Sequence, residues 1–283
     1  PFEVNQRGGV RWSAAKGFLR PAMQRPNLTV VTGAHVRKLR MEGRTVTGVE
    51  YERDGALHVA TAARETILAA GAIGSPHILQ LSGIGPGDLL YRHGVPVVHD
   101  LPGVGANLQD HLQLRLCFKV KNALTLNTLL HSWWHKARIA AEYALKRTGP
   151  MTMPPSQLGA FTRSDPGQKT ANLEFHVQPI SLDRFGEPPH RFNGFTASVC
   201  NLRPTSRGRV DIASADYRVA PKIAPNYLST DEDRRVAVDA IRLARRIVME
   251  SESMRKHEPE EHLPGPQYRT DEELRTAASK IGT

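Results

Sequence analysis

Short β-branched runs separated by turn residues constrain the fold of this chain more than any other feature. The first four runs lie at 28–32, 36–41, 46–51 and 57–61. Gly33, Gly43 and the pair Asp54-Gly55 divide them. An Asp-Gly pair between two alternating runs favours a two-residue hairpin, because both residues tolerate positive φ. The pattern predicts a small antiparallel sheet whose consecutive strands are neighbours.

A buried strand leading through a glycine into a helix is predicted next. The apolar run 66–70 ends at Gly71, and Ser75 followed by Pro76 is typical of an N-cap and the first helical position. Backbone N–H groups and the positive end of a helix dipole would then lie close to Gly71, which suits a phosphate or another anion. Many α/β folds contain such a unit only for packing, so both interpretations stay open.

The second half of the chain predicts another antiparallel sheet with helices beside it. Strands are expected at 112–120, 159–162, 172–178, 195–202 and 209–212. Helices are expected at 13–19, at 129–147, from a capping box at Ser229-Thr230-Asp231-Glu232 to Glu250, and after Thr270. A change in composition after the Gly- and Pro-rich stretch 83–105 predicts a domain boundary near residue 111.

Composition excludes several classes of protein. The 283 residues carry a net charge of +10, but the basic residues are scattered, so we expect a solvated surface and no nucleic-acid groove. Gly71, Gly74 and Pro76 interrupt the longest uncharged stretch, 66–86, which argues against a transmembrane helix. Two distant cysteines without a CxxC spacing predict a reduced compartment and no disulfide. The beginning at Pro1 predicts that the sequence is part of a longer protein.

No complete GxSxG, HExxH, Walker or GxGxxG motif occurs. His131 and His135 are spaced for a shared helix face but lack a third ligand, and the Trp pair between them indicates packing, so we predict no metal site. Asp110-His111 could orient a serine nucleophile in a cofactor-free hydrolase, although no nucleophile elbow accompanies the pair. The pair also suits a structural role.

One long run of sequence connects the chain to a known family. The segment 71–85, GAIGSPHILQLSGIG, resembles the second signature of the glucose-methanol-choline (GMC) oxidoreductases. The similarity continues in the family's order through LPGVGANLQDH at 101–111, SRGRV at 206–210 and APNYLS at 224–229. RWSAA at 11–15 and NLTV at 27–30 are also similar to it. The branch with choline dehydrogenase and bacterial alcohol dehydrogenases is the most similar.

The resemblance implies an α+β or α/β fold in two parts. Residues 1–111 would be part of a Rossmann-like FAD-binding domain that lacks its GxGxxG unit, which the family places before Pro1. Residues 112–283 would form a substrate domain with a large antiparallel sheet and flanking helices, together with the start of the C-terminal GMC region. The family's catalytic His would lie beyond Thr283, so no catalytic residue is expected within the chain, and this piece alone is expected to be inactive.

The resemblance also implies cofactor-binding positions. Val36 would meet the adenine of FAD, and Ala70-Gly71 would approach the ribose and pyrophosphate. Ser75 and Asn107, within the two matching motifs, complete the expected set.

Three residues are expected to line the substrate pocket. Glu174 and His176 share one face of a predicted strand, since strand side chains alternate, although a surface pair would show the same pattern. His176 matches a pocket His of the family that could hydrogen-bond an alcohol. Gln157 stands where choline-oxidising relatives have a Glu, which disfavours choline because a desolvated cation would lack a countercharge.

These observations predict an FAD-dependent oxidoreductase that transfers hydride from the CH-OH group of an alcohol to flavin. The acceptor, quinone or oxygen, stays open, as does a non-catalytic module that binds a partner or an anion. We expect a cytoplasmic protein, with peripheral attachment to the inner membrane left open.

Overall fold

The computed structural model describes residues 4–154, 156–184 and 186–283. Its strands are β1 Gln6–Arg7, β2 Val10–Arg11, β3 His35–Glu42, β4 Thr45–Arg53, β5 Ala56–Thr61, β6 Ile84–Gly85, β7 His99–Asp100, β8 Leu114–Lys119, β9 Leu158–Thr162, β10 Leu173–Gln178, β11 Gly194–Asn201, β12 Arg209–Asp211, β13 Lys222–Ala224 and β14 Glu260–Leu263. Its α-helices are α1 Arg20–Ala22, α2 Gly71–Leu81, α3 Gly87–Arg92, α4 Leu126–His131, α5 Trp133–Lys146, α6 Asp231–Arg245, α7 Glu252–Arg255 and α8 Asp271–Ile281. Two π-helical turns, Ala15–Leu19 and Arg246–Glu250, adjoin α1 and α6, and a 3₁₀ turn spans Pro150–Thr152.

The chain divides into two compact units that are each built from separated segments. Unit one contains the described residues up to Arg25, His111–Thr205 and Thr230–Thr283. Unit two contains Pro26–Asp110 and Ser206–Ser229. The chain therefore crosses from one unit to the other after Arg25, Asp110, Thr205 and Ser229. The second of these crossings lies at the predicted change of composition near residue 111.

Unit one is organised around a five-stranded antiparallel sheet with the strand order β14-β8-β11-β10-β9. Apolar residues alternate with polar ones along β10, so Leu173 and Phe175 are buried on one face while Glu174 and His176 lie on the other. Helix α6 packs against β11 and β8, and α8 packs against α6. The core of unit one therefore lies between the apolar face of the sheet and these two helices.

Helix α6 begins one residue later than the sequence predicts. Thr230, rather than Ser229, is the N-cap, and its hydroxyl oxygen accepts a hydrogen bond from the Asp233 N–H at 3.2 Å. The predicted apolar face is confirmed, since Val236 and Ile241 are buried within it. The last helix also follows its prediction, because Thr270 and Glu273 form a reciprocal capping box at the start of α8.

Unit two contains the predicted hairpin sheet, with the order β3-β4-β5. Asp54 and Gly55 have φ angles of 53° and 77°, as a two-residue turn with both central residues left-handed requires. The strands predicted at 28–32 and 66–70 do not form in the described parts of the chain. Both runs have strand-like composition, but a strand also requires a neighbour to bond to.

Three further predictions are corrected by the structure. The helix expected at 129–147 is two helices, because Ser132 is extended between α4 and α5. Trp133 and Trp134 are 69% and 76% exposed and do not have the packing role expected of them. The strand predicted at 209–212 is β12, which pairs with β13 in unit two and does not join the larger sheet. In the described residues, no helix combines the length and the apolar character that crossing a membrane requires.

Candidate functional site

The turn at the start of α2 holds three of the five residues expected to bind the cofactor. Ala70 is the N-cap of α2, and its N–H donates to Oγ of Ser75 at 3.1 Å. Gly71 has a φ of +78°, is exposed, and a Cβ built on it would meet nothing within 4 Å. The turn therefore presents open backbone at a helix N-terminus, an arrangement that fits a phosphate-bearing ligand.

Ser75 is not the N-cap of α2 that its position before Pro76 predicts. Because α2 begins at Gly71, Ser75 lies inside the helix and Pro76 is an interior proline, not the first helical residue. The Ser75 hydroxyl binds back to the N-cap residue and stabilises the first turn. The Ser-Pro pair alone could not show this, because the turn depends on the left-handed conformation of Gly71.

Val36 lies on β3, opposite Tyr51 of β4, and is half-buried. Helix α2 packs against this strand. Ser82, which follows α2, accepts a hydrogen bond from the Leu39 N–H at 2.8 Å and donates to the Ile78 carbonyl at 2.6 Å. The strand that carries Val36 is thus held to the helix that carries the Gly71 turn.

Asn107 belongs to a loop that α2 also holds. It is exposed with a φ of 61°, and the next residue, Leu108, exchanges two backbone hydrogen bonds with Gly208. Gln80 of α2 donates from Nε2 to the Val104 carbonyl at 3.2 Å, which secures the same loop. All five predicted cofactor residues therefore lie on or beside α2 within unit two.

Gln80 is a residue that sequence analysis overlooked. It is fully buried, and besides the bond to Val104 its Nε2 donates to the Val210 carbonyl at 2.9 Å. Its Oε1 accepts from the Ile212 N–H at 2.7 Å. One side chain thus joins α2 to β12, more than 120 residues along the chain. The sequence feature that could have identified Gln80 is its position as a polar residue among the apolar residues of α2.

Two of the three residues expected in the substrate pocket, Glu174 and His176, share one face of the larger sheet, and Gln157 lies at the end of the neighbouring strand. Nε2 of His176 lies 3.2 Å from Oε1 of Glu174, and both side chains are mostly buried. The N–H of Gln157, the residue before β9, donates to the Val177 carbonyl at 3.0 Å. The register already pairs Val177 with Leu158, so Gln157 lies at the end of the β9–β10 ladder, next to the strand that carries Glu174 and His176.

The same face continues onto β11, where Cys200 lies directly opposite Glu174. Burial raises the pKa of the Cys200 thiol to about 11, and the Glu174 carboxylate adds to the effect. A ligand atom of His111 also lies within 4.8 Å of those of Glu174 and Cys200. This face can therefore offer hydrogen-bonding groups to a polar substrate while its thiol stays protonated.

Asp110 and His111 have separate partners. Oδ2 of Asp110 accepts from the Tyr227 hydroxyl at 2.5 Å, and burial followed by this hydrogen bond raises the pKa of Tyr227 to about 12. Nε2–H of His111 donates a hydrogen bond to the Leu202 carbonyl at 3.2 Å. These bonds give both side chains structural roles, which do not favour the hydrolase hypothesis.

Comparisons with known proteins show the family of this chain. Two family models, each described as GMC oxidoreductase, match residues 2–113 and 204–283. The chain belongs to the GMC oxidoreductase family. Among curated proteins, this GMC chain is 41% identical over 266 residues to an oxygen-dependent choline dehydrogenase of Pectobacterium carotovorum, which covers 94% of the chain and 47% of the relative. It is 38% identical to an alcohol dehydrogenase [acceptor] of Pseudomonas putida over 96% of the chain and 50% of the relative.

Solved structures of the family have the same fold. The formate oxidase of Aspergillus oryzae superimposes with a TM-score of 0.88 at 25% identity, over 98% of this chain and 52% of that one. A pyridoxine 4-oxidase superimposes with a TM-score of 0.80 at 26% identity, over 98% and 50%. The chain thus spans about half the length of the curated relatives it matches. The predicted family and fold class, with helices around an antiparallel sheet, are confirmed.

Proposed function

We propose that the protein is an FAD-dependent oxidoreductase that acts on the CH-OH group of alcohols. The observation that carries the proposal is similarity to choline and alcohol dehydrogenases over nearly the whole chain. The open turn at Gly71 supports it, because a left-handed glycine with free space above it admits the close approach of a diphosphate. FAD, when bound, would supply the hydride acceptor.

We assign the two parts of that activity to the two units. Unit two would hold FAD through Val36, the Ala70-Gly71 turn with Ser75, and Asn107, and would correspond to the predicted partial FAD-binding domain 1–111. The large sheet of unit one would carry the substrate pocket, within the predicted domain 112–283. The units differ from those ranges in the segments 1–25 and 206–229.

On the sheet face, His176 would hydrogen-bond the alcohol oxygen. The carboxylate of Glu174, 3.2 Å from its ring, would hold the imidazole in place as negative charge develops on that oxygen. Gln157 would contribute a neutral amide. A small alcohol is therefore the proposed substrate class, with oxygen or a quinone as electron acceptor.

Flavin content and turnover test this proposal. The protein expressed from its complete coding sequence should be yellow and should reduce an artificial electron acceptor when butanol or choline is added. A colourless preparation that stays colourless after incubation with FAD would instead support the alternative, a non-catalytic module that binds a partner or an anion.

A cytoplasmic location is also proposed. Cys117 and Cys200 are both free and buried, as is usual in a reducing compartment. The basic surface would allow peripheral attachment to an anionic membrane. Fractionation of cells into soluble and washed-membrane samples, at low and high salt, separates these alternatives.

A further inference from the structure

Three side chains of types that bind metals converge in unit one. Asp183 and His190 belong to the connection between β10 and β11, and His262 belongs to β14. One ligand atom of each lies within 4.8 Å of the others. The register between β14 and β8 shifts at His262, so this residue is the extra one in an irregularity of the edge strand. Such irregularities commonly re-aim a side chain for a function.

Nε2 of His190 faces the carboxylate of Asp183. This nitrogen is 3.1 Å from Oδ1 of Asp183. The same nitrogen is buried and makes no hydrogen bond to any residue that the structure describes. Two ligand atoms at 2.0–2.1 Å from one tetrahedral ion are about 3.3 Å apart, so the observed separation matches two neighbouring positions around one ion.

The other side of the His190 ring is already held in place. Its Nδ1 lies 3.0 Å from Oγ of Ser181, which is fully buried and accepts a bond from Nδ2 of Asn127 at 2.8 Å. The Phe192 ring stacks on His190 with centroids 4.6 Å apart and meets His262 edge-on at 5.0 Å. Metal-binding histidines commonly donate their second ring N–H to such a partner, and Nδ1–H of His190 would donate to Oγ of Ser181 when Nε2 holds a metal.

The charges around the cluster are of both signs, since Arg115, Arg184 and Lys280 line one cavity with Asp183. Binding of a cation would therefore depend on the ligand atoms themselves. Lys119 opposes a cation, but its ammonium is 3.1 Å from the Glu260 carboxylate. Asp183 is 60% exposed, so the cluster is open to solvent on that side.

We propose that Asp183, His190 and His262 form a binding site for a divalent transition-metal ion, for which Zn²⁺ is the best match. Two imidazole nitrogens and one carboxylate oxygen suit this ion, with water in the fourth position. Bound metal would connect the β10–β11 loop to the edge strand β14. The site requires neither FAD nor the alcohol pocket, so it stands independently of the proposed oxidoreductase activity.

Zinc titration of the purified chain, after removal of metal with a chelator, tests the site directly. Calorimetry should show one equivalent bound, with a rise in melting temperature. Ser181→Ala removes the partner of the second His190 nitrogen and should lower the association constant for zinc by ~10–100-fold. Asp183→Asn and His262→Ala remove ligands and should each lower it by more than that. Far-UV circular dichroism verifies that each variant is folded.

Two control variants identify the site. His135→Ala changes an exposed histidine on α5, and His111→Ala changes the group that contains Cys200, so neither should alter zinc affinity.

Histidine ring ¹⁵N shifts in the unaltered chain should move at His190 and His262 on zinc addition, which requires no variant. Absence of zinc binding, unchanged affinity in Asp183→Asn and His262→Ala, or loss in His111→Ala would each overturn the proposal. Co²⁺ in place of Zn²⁺ should give a spectrum without a thiolate charge-transfer band, and such a band would also overturn it.

Discussion

The side-chain oxygen of Gln80 accepts a hydrogen bond from the backbone N–H of Ile212 at 2.7 Å, in the interior of unit two. Leu81, the neighbour of Gln80, belongs with Ile212 to the apolar core cluster of this unit. A polar clamp therefore lies beside the core and fixes a strand from late in the chain against α2. The cofactor residues proposed on α2 depend on this contact for their support.

Replacement of Gln80 by Leu should destabilise unit two, because three buried backbone groups lose a partner. We expect the free energy of unfolding to fall by at least about 1–3 kcal/mol, measured by urea denaturation. Gln109→Leu is the matched control: it is exposed, its one hydrogen bond is 3.5 Å long, and its effect should stay within about 0.5 kcal/mol. Equal effects of the two substitutions would contradict the clamp.

Gly71→Val should lower flavin occupancy more than it lowers helix content. Gly94 offers a matched control in the same unit, since its φ of +69° is similar and a Cβ there also meets nothing within 4 Å. Both substitutions cost about 1–2 kcal/mol of backbone strain. A larger loss of flavin in Gly71→Val than in the Gly94 variant would therefore come from the position of Gly71 next to the cofactor. Flavin absorbance and far-UV circular dichroism on one sample of the protein from its complete coding sequence make the comparison. Equal flavin loss in both variants would indicate that Gly71 has only a conformational role.

Gln157→Glu should move substrate preference towards choline. A carboxylate at position 157, which we propose to line the substrate pocket, would pair with the quaternary ammonium. We expect a change of about 1–3 kcal/mol, or roughly 5- to 150-fold in the kcat/KM ratio of choline to butanol. His176→Ala should instead weaken both alcohols alike, because it removes a hydrogen bond to the shared hydroxyl. An enzyme that already prefers choline and does not respond to Gln157→Glu would place cation recognition elsewhere.

Stability should fall at high pH partly because of Cys200. Its pKa is raised to about 11 in the folded chain, against a reference value of 9.0. Below that reference value the thiol is protonated in both the folded and the unfolded chain. At higher pH it ionises first in the unfolded chain, so the free energy of unfolding falls until the pH passes about 11. Cys200→Ala should therefore show a smaller fall in unfolding free energy between pH 9 and 11 than the unaltered chain. Identical pH slopes would contradict this.

Local signals in the sequence determined several elements correctly. Asp54-Gly55 selects a left-handed two-residue turn, the apolar spacing in 231–245 defines one helix face, and Thr270 with Glu273 caps α8. Each of these depends on residues within a few positions of one another, so sequence alone carries the necessary physics. The long motif at 71–85 likewise led to the family, which the comparisons confirm.

Contacts between distant segments decided the rest. Glu260–Leu263 is too polar to resemble a strand, yet it becomes one because β8 has a free edge for it to bond to, while the more strand-like 28–32 lacks such a neighbour in the described structure. Gln80 and His262 lie beside partners that are 24 to 132 positions away along the chain. Backbone hydrogen bonds and buried polar groups must be satisfied somewhere, and only the tertiary fold determines which segment provides the partner.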